Sequence, residues 1–193
     1  MKVEHMAKKI ALGAAFWVAA VPLWAQASHV IPLSDSEEKS AGFLEKEVRH
    51  QLSVLPFYSV FDHVVCSVDG DKVTLSGQVL RPTLKADAET AVRNLEGVGT
   101  VTNQIEVLPV SPRDDELRRG IYRAIFEDAV LARYAVQPVP PIHIIVKNGA
   151  VTLEGWVESD ADKKLAASKV SGVANLAGMK NDLLVRTRER AGK

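Results

Sequence analysis

Cysteine is nearly absent from this chain: Cys66 is the only one among 193 residues. A single thiol excludes an internal disulfide framework and any Cys-rich metal site. Aromatic residues make up only 6%, and 24 basic side chains meet 24 acidic ones. Nucleic-acid binding rests on a strong positive field, so this balance excludes a general nucleic-acid binder. A membrane-spanning helix needs about 20 apolar residues. The run at Ile10–Val21 has twelve. The five histidines, His5, His29, His50, His63 and His143, show no H-x3-H or C-x2-C spacing, so no zinc site is expected. The nucleophile elbow, the phosphate loop and the dinucleotide fingerprint are also missing, and the carboxylates are scattered. No cofactor and no enzymatic reaction are expected.

What is present begins with an address. Lys2, Lys8 and Lys9 precede the apolar run, and Ala25-Gln26-Ala27 follows it. That order reads as a secretory signal peptide over 1–27, cut after Ala27, with an uncleaved anchor as the alternative. Without those residues the chain carries 21 basic and 23 acidic side chains. No membrane span remains, and no cysteine stands near the cut to take a lipid. A periplasmic location is expected. Cys66 sits in an alternating apolar run and reads as a buried core thiol.

The second positive feature is a repeat. Val73-Thr74-Leu75-Ser76-Gly77 returns as Val151-Thr152-Leu153-Glu154-Gly155. Upstream, Val64, Cys66 and Val68 match Ile142, Ile144 and Val146, the alternation of a strand with one buried face. His63 and His143 fall in the opposite phase. Between the strands stand Asp69-Gly70 in one copy and Asn148-Gly149 in the other. Both suit tight hairpins, and their one-place offset predicts two different turn types. Gly77 and Gly155 are read as leaving room for a helix against the sheet.

A helix precedes each hairpin, with Leu44, Val48 and Leu52 in one copy and Leu117, Ile121 and Ile125 in the other. Ser34 with Glu37 fits a capping box, and Ser111-Pro112 fits an N-cap with Pro at N1. Asp114 and Asp115 read as charge favoured by the helix dipole. A second helix follows each hairpin, over 85–96 and 160–171, ending at Gly97-Val98 and Gly172-Val173. A last strand is predicted at 103–107 and at 181–185, and Pro138 to Pro141 as an extended approach. The order α-β-β-α-β, twice, predicts an α+β chain of two tandem two-layer sandwiches. The expected domains are 34–109 and 113–186, followed by a charged tail at 187–193.

The pattern Val-Thr-Leu-x-Gly-x-Val, an Ala-rich helix, Gly-Val and a last strand opened by Asn resembles the BON domain, in both halves. The resemblance implies a non-enzymatic periplasmic protein of the osmotic-stress and envelope kind, acting on phospholipid surfaces or as a chaperone. Without a lipid-bearing cysteine, the chain looks like the soluble members. The family brings no catalytic residues with it.

Two surfaces are candidates for contact. In the second copy, Arg119, Tyr122, Arg123 and Phe126 recur at helical spacing. Arginine with aromatic residues on one exposed face suits an anionic phospholipid headgroup layer. Tyr122 and Phe126 are equally open to packing between the copies or in the core. The second candidate is the sheet face that carries Ile145 and Trp156. That face would bind exported client proteins, or be covered by the first copy.

Overall fold

In a computed structural model, residues 35–137 and 139–186 are described, and within 35–41 only the backbone. The expected signal peptide, the expected Ser34 capping box, Pro138 and the charged tail lie outside them. Helix α1 (Asp35–Ser53) leads into the hairpin β1 (His63–Asp69) and β2 (Lys72–Val79), then α2 (Pro82–Arg93). A third strand follows in two pieces, β3 (Thr100–Asn103) and β4 (Glu106–Val107). The second half repeats the order with α3 (Pro112–Phe126), β5 (Ile142–Lys147), β6 (Ala150–Val157), α4 (Asp160–Ser171), β7 (Gly178–Asn181) and β8 (Leu184–Val185). It adds a 3-10 turn, Leu131–Val136, that periodicity did not predict. Among the described residues no helix is long and apolar enough to cross a membrane.

Each sheet is centred on the second hairpin strand. β2 pairs antiparallel with β1, and β3 and β4 run parallel to it. β6 does the same with β5, β7 and β8. Helices α1 and α2 pack on sheet one, and α3 and α4 on sheet two, giving two α+β layers in each half. Two separate cores result. One gathers Leu44, Val48 and Leu52 with Val73, Leu75, Ala88 and Val92. The other gathers Leu117, Ile121 and Ile125 with Ile142, Ile144, Leu153, Ala166 and Val170.

The offset glycines build different turns. Gly70 alone takes positive φ (60°) in the first hairpin, whereas Asn148 (54°) and Gly149 (80°) both do in the second. The second pattern matches a type I′ turn, the first a type II′ turn. Asp114 is only 1% exposed and accepts hydrogen bonds from Asn148 N (2.9 Å) and Gly149 N (2.8 Å). It therefore clamps the turn to the start of α3, a role beyond favourable dipole charge. Buried Arg118 adds a bond to Val146 O (2.6 Å).

Four expectations are corrected. Gly77 and Gly155 do not make room for a helix. Their φ values are 111° and 100°, and a Cβ would stand 2.0 Å from His63 O, on β1, or Pro141 O, just before β5. The third strands begin three residues earlier than predicted and break after Asn103 and Asn181. The asparagines carry the break: Oδ1 accepts from Ile105 N (3.1 Å) and Leu183 N (3.3 Å). Their Nδ2 groups donate to Lys85 O and Lys163 O (2.9 Å each). The break turns Ile105 and Leu183 into the cores. Helix α2 starts at Pro82, whose fixed φ suits N1, and ends at Arg93, short of Gly97. Gly172 caps α4 with an ordinary φ of −78°, without the left-handed conformation.

Candidate functional site

Strand alternation puts His63 on β1 and His143 on β5, both away from the helices. The structure brings the two together. Their ring centroids lie 4.9 Å apart at 35°, and Tyr58 stands 5.9 Å from His143. His63 Nδ1 bonds Glu154 Oε2, on the β6 residue opposite His143. These residues mark a seam between the two halves.

The segment before β1 makes the seam. Asp62, 2% exposed, accepts from Ser59 N (3.0 Å), Ser59 Oγ (2.6 Å) and Leu80 N (2.7 Å), fixing the loop to the end of β2. Val60 then points away from its own core. It is 6% exposed and belongs to the core of the second half, and its carbonyl accepts from Ile144 N on the edge of β5 (2.8 Å). Phe61 packs at 6.2 Å from Tyr122. Glu106 and Lys147 close the seam with an ion pair of 2.5 Å. Both side chains are half exposed, so this pair contributes little.

Beside the seam opens a cleft of about 690 Å³. Val64, Val65 and Cys66 form one wall, Pro140 and Pro141 another, and Trp156 and Leu184 line it from sheet two. Arg186 lies 5.5 Å above the Trp156 ring. Burial pushes the Tyr58 hydroxyl up to about 12, and that oxygen accepts from Val64 N (3.2 Å). Burial, with His63 alongside, pulls His143 down to about 4. Burial also raises the half-buried Cys66 thiol above its ordinary value. Among the described residues no group of three or more His, Cys, Asp or Glu is placed to hold a metal ion.

The predicted arginine–aromatic stripe is only partly assembled. Arg119, Tyr122 and Arg123 are exposed, Tyr122 at 38%. Phe126 is not: at 6% exposure it lies in the core of the second half, 4.9 Å from the Tyr122 ring. The reason is its place in the last turn of α3, where the 3-10 turn folds the chain back on the helix. Ile145 is buried at 5%, and Trp156 is half-buried. They are not neighbours, because the cross-strand pair His143–Glu154 stands between them.

One exposed pair escaped the sequence reading. Phe57 is 72% exposed, holds a left-handed φ of 66°, and carries the Arg81 guanidinium 4.8 Å above its ring. A left-handed φ is rare for a large aromatic residue, and the Phe57 side chain belongs to neither core. Only its position after Pro56 hinted at it, since a turn there presents the next side chain outward.

Comparison with known proteins follows the repeat. The BON domain matches residues 44–109 and again 114–187. No curated protein matches the chain. Two solved structures of CdsD, a structural protein of the type III secretion system of Chlamydia trachomatis, are similar in part. One is 13% identical, covers 76% of this chain and 94% of its own, and has a TM-score of 0.31. The other, its C-terminal domain, is 15% identical, covers 73% and 96%, and has a TM-score of 0.25. Likeness at that level carries no argument about function.

Proposed function

Because this chain belongs to the BON domain family, matched once in each half, we propose that it is a non-enzymatic periplasmic envelope protein of the osmotic-stress kind that binds anionic phospholipid surfaces. The observation that carries the reading is the outer face of α3. Arg119 and Arg123 are exposed there on either side of Tyr122, with no acidic partner among the described residues. Guanidinium groups meet phosphate in a forked geometry, and a tyrosine ring sits well at a headgroup layer. Phe57 with Arg81 supplies a second pair of the same chemistry in the first half.

Each arginine near an anionic surface is worth about 1 kcal/mol. Co-sedimentation with phosphatidylglycerol vesicles is therefore expected to weaken about 30-fold in an Arg119→Ala/Arg123→Ala variant. Phosphatidylcholine vesicles are expected to leave both proteins in the supernatant. If phosphatidylglycerol vesicles retain neither protein, the lipid reading fails; if they retain both equally, α3 is not the contact.

A second reading, a chaperone or adaptor for exported proteins, is favoured by the cleft. Half-buried Trp156 and 61%-exposed Leu184 line it together. Trp156→Ala is then expected to abolish suppression of client aggregation in a refolding assay, and unchanged suppression counts against it.

A further inference from the structure

The seam is built around an imidazole with an unpaired ring nitrogen. His143 is 8% exposed, and its Nδ1 has no hydrogen-bond partner. Three buried side-chain atoms among the described residues lack a partner, Gln78 Oε1, Arg118 Nε and His143 Nδ1, and only the last belongs to a group whose charge changes near neutral pH. We propose that the seam is an acid-sensitive latch, shut while His143 is neutral and parted when His143 takes a proton. This goes beyond the lipid reading and does not depend on it.

The surroundings of His143 decide the argument. From β1 it meets His63, and from β6 Glu154. From the loop it meets Tyr58 and the backbone of Ser59 and Asp62. Arg49, Asp182 and Arg186 line the cleft further out. Two carboxylates are near enough to matter, and both are engaged. Glu154 bonds His63, and Asp62 takes the two Ser59 donors and Leu80 N. A proton on His143 therefore places a positive charge against the His63 ring, in a largely buried site whose nearest carboxylates are already bonded elsewhere. Separated halves give both rings to solvent, where the charge costs little.

The direction with pH follows. In the closed seam His143 gains its proton only near pH 4, against an ordinary value of 6.5. Between those values the open form binds more protons than the closed one, so acid favours opening. The closed form keeps its full advantage above pH 6.5 and loses it as pH falls toward 4. One group displaced this far shifts the closed-to-open ratio by at most about 300-fold. The contacts that open are those of the seam, Val60 on Ile144 and Phe61 on Tyr122. Opening takes Val60 and Phe61 out of the core of the second half and leaves the other residues of the two cores in place.

Small-angle scattering of the full chain between pH 7.5 and 4, with far-UV circular dichroism alongside, tests the latch. The radius of gyration is expected to rise with a midpoint between pH 6.5 and 4 while the dichroism stays constant. His143→Phe keeps a ring in the stack and removes the titration, so its radius is expected to stay constant. If that variant does not fold, His143→Gln serves the same purpose. A constant wild-type radius down to pH 4, or an equal expansion in the variant, overturns the proposal. So does loss of dichroism in step with the expansion, which would be whole-chain acid unfolding.

Discussion

Gly155→Ala is expected to cost the second half about 4 kcal/mol, enough to unfold it in urea concentrations that leave the first half intact. Two terms add. The backbone holds φ at 100°, where any Cβ is strained by about 1–3 kcal/mol. The new methyl would also stand 2.0 Å from Pro141 O and 3.2 Å from His143 Cδ2. The first neighbour is backbone just before β5, held by the bond from Trp156 N to Pro141 O, so it cannot swing away, and overpacking of that kind costs about 1–3 kcal/mol more. Gly120→Ala is the contrasting substitution. It lies inside α3, its Cβ would meet only Val173 Cγ1 at 3.5 Å, and helical propensity favours it by about 0.5–1 kcal/mol. Urea titrations followed by circular dichroism and Trp156 emission compare the two. A loss under about 1 kcal/mol for Gly155→Ala would mean that the strand shifts to admit a side chain. The twin position Gly77 is held at 111° with His63 O at 2.0 Å, so Gly77→Ala carries the same cost into the first half.

The same glycines mark where sequence reading stops. Their recurrence in the phase of Val73, Leu75 and Val79 says that a side chain is forbidden there. It does not say from which side the obstacle comes. A helix was the expected neighbour, and the obstacle is a backbone carbonyl on or just before the adjacent strand. Features set within a few residues were legible. The alternation of β1, the two hairpin dipeptides, the Ser111 cap and the span of α4 all follow from nearest-neighbour rules, whereas β5, expected to have one buried face, is buried on both. The third strand was half legible. Asn103 and Asn181 mark it correctly, but as the place where it breaks, since an amide side chain can replace two ladder bonds. The 3-10 turn left a faint signal in Leu131 and Tyr134, three apart and both buried.

The candidate site was less legible than the fold, because it depends on pairs distant in the chain. Nothing local assigns Val60 to the far core. Nothing local says that Phe126 lies inside the helix–turn junction while Tyr122 remains partly outside. Helical projection treats α3 as a cylinder with one wet side, and a chain that folds back at its end removes the wet side from the last turn. His63 and His143 were placed on the correct face, yet their contact required knowing that the two faces meet.

Val60→Asp tests whether that meeting holds the second half together. Val60 belongs to the first half by sequence and to the second half's core by packing. Losing its apolar burial costs about 1.5 kcal/mol, and seating a carboxylate there costs more. The chain has an escape that an ordinary core lacks. The seam can open and give the carboxylate to water, so the penalty cannot exceed the free energy that docking contributes. The expected loss is about 3 kcal/mol, confined to the second half. β5 is the strand that bears it, because opening frees the edge amide of Ile144, which now donates to Val60 O. Hydrogen exchange is therefore expected to accelerate about 100-fold at Ile144. Exchange at Val73 and Leu75, in the core of the first half, is expected to change little. Val60→Ala, which trims the side chain without adding charge, is expected to cost about 1 kcal/mol. Slowed or unchanged exchange at Ile144 in Val60→Asp would mean that the halves stand without each other. Equal acceleration in both halves would mean that they unfold as one body.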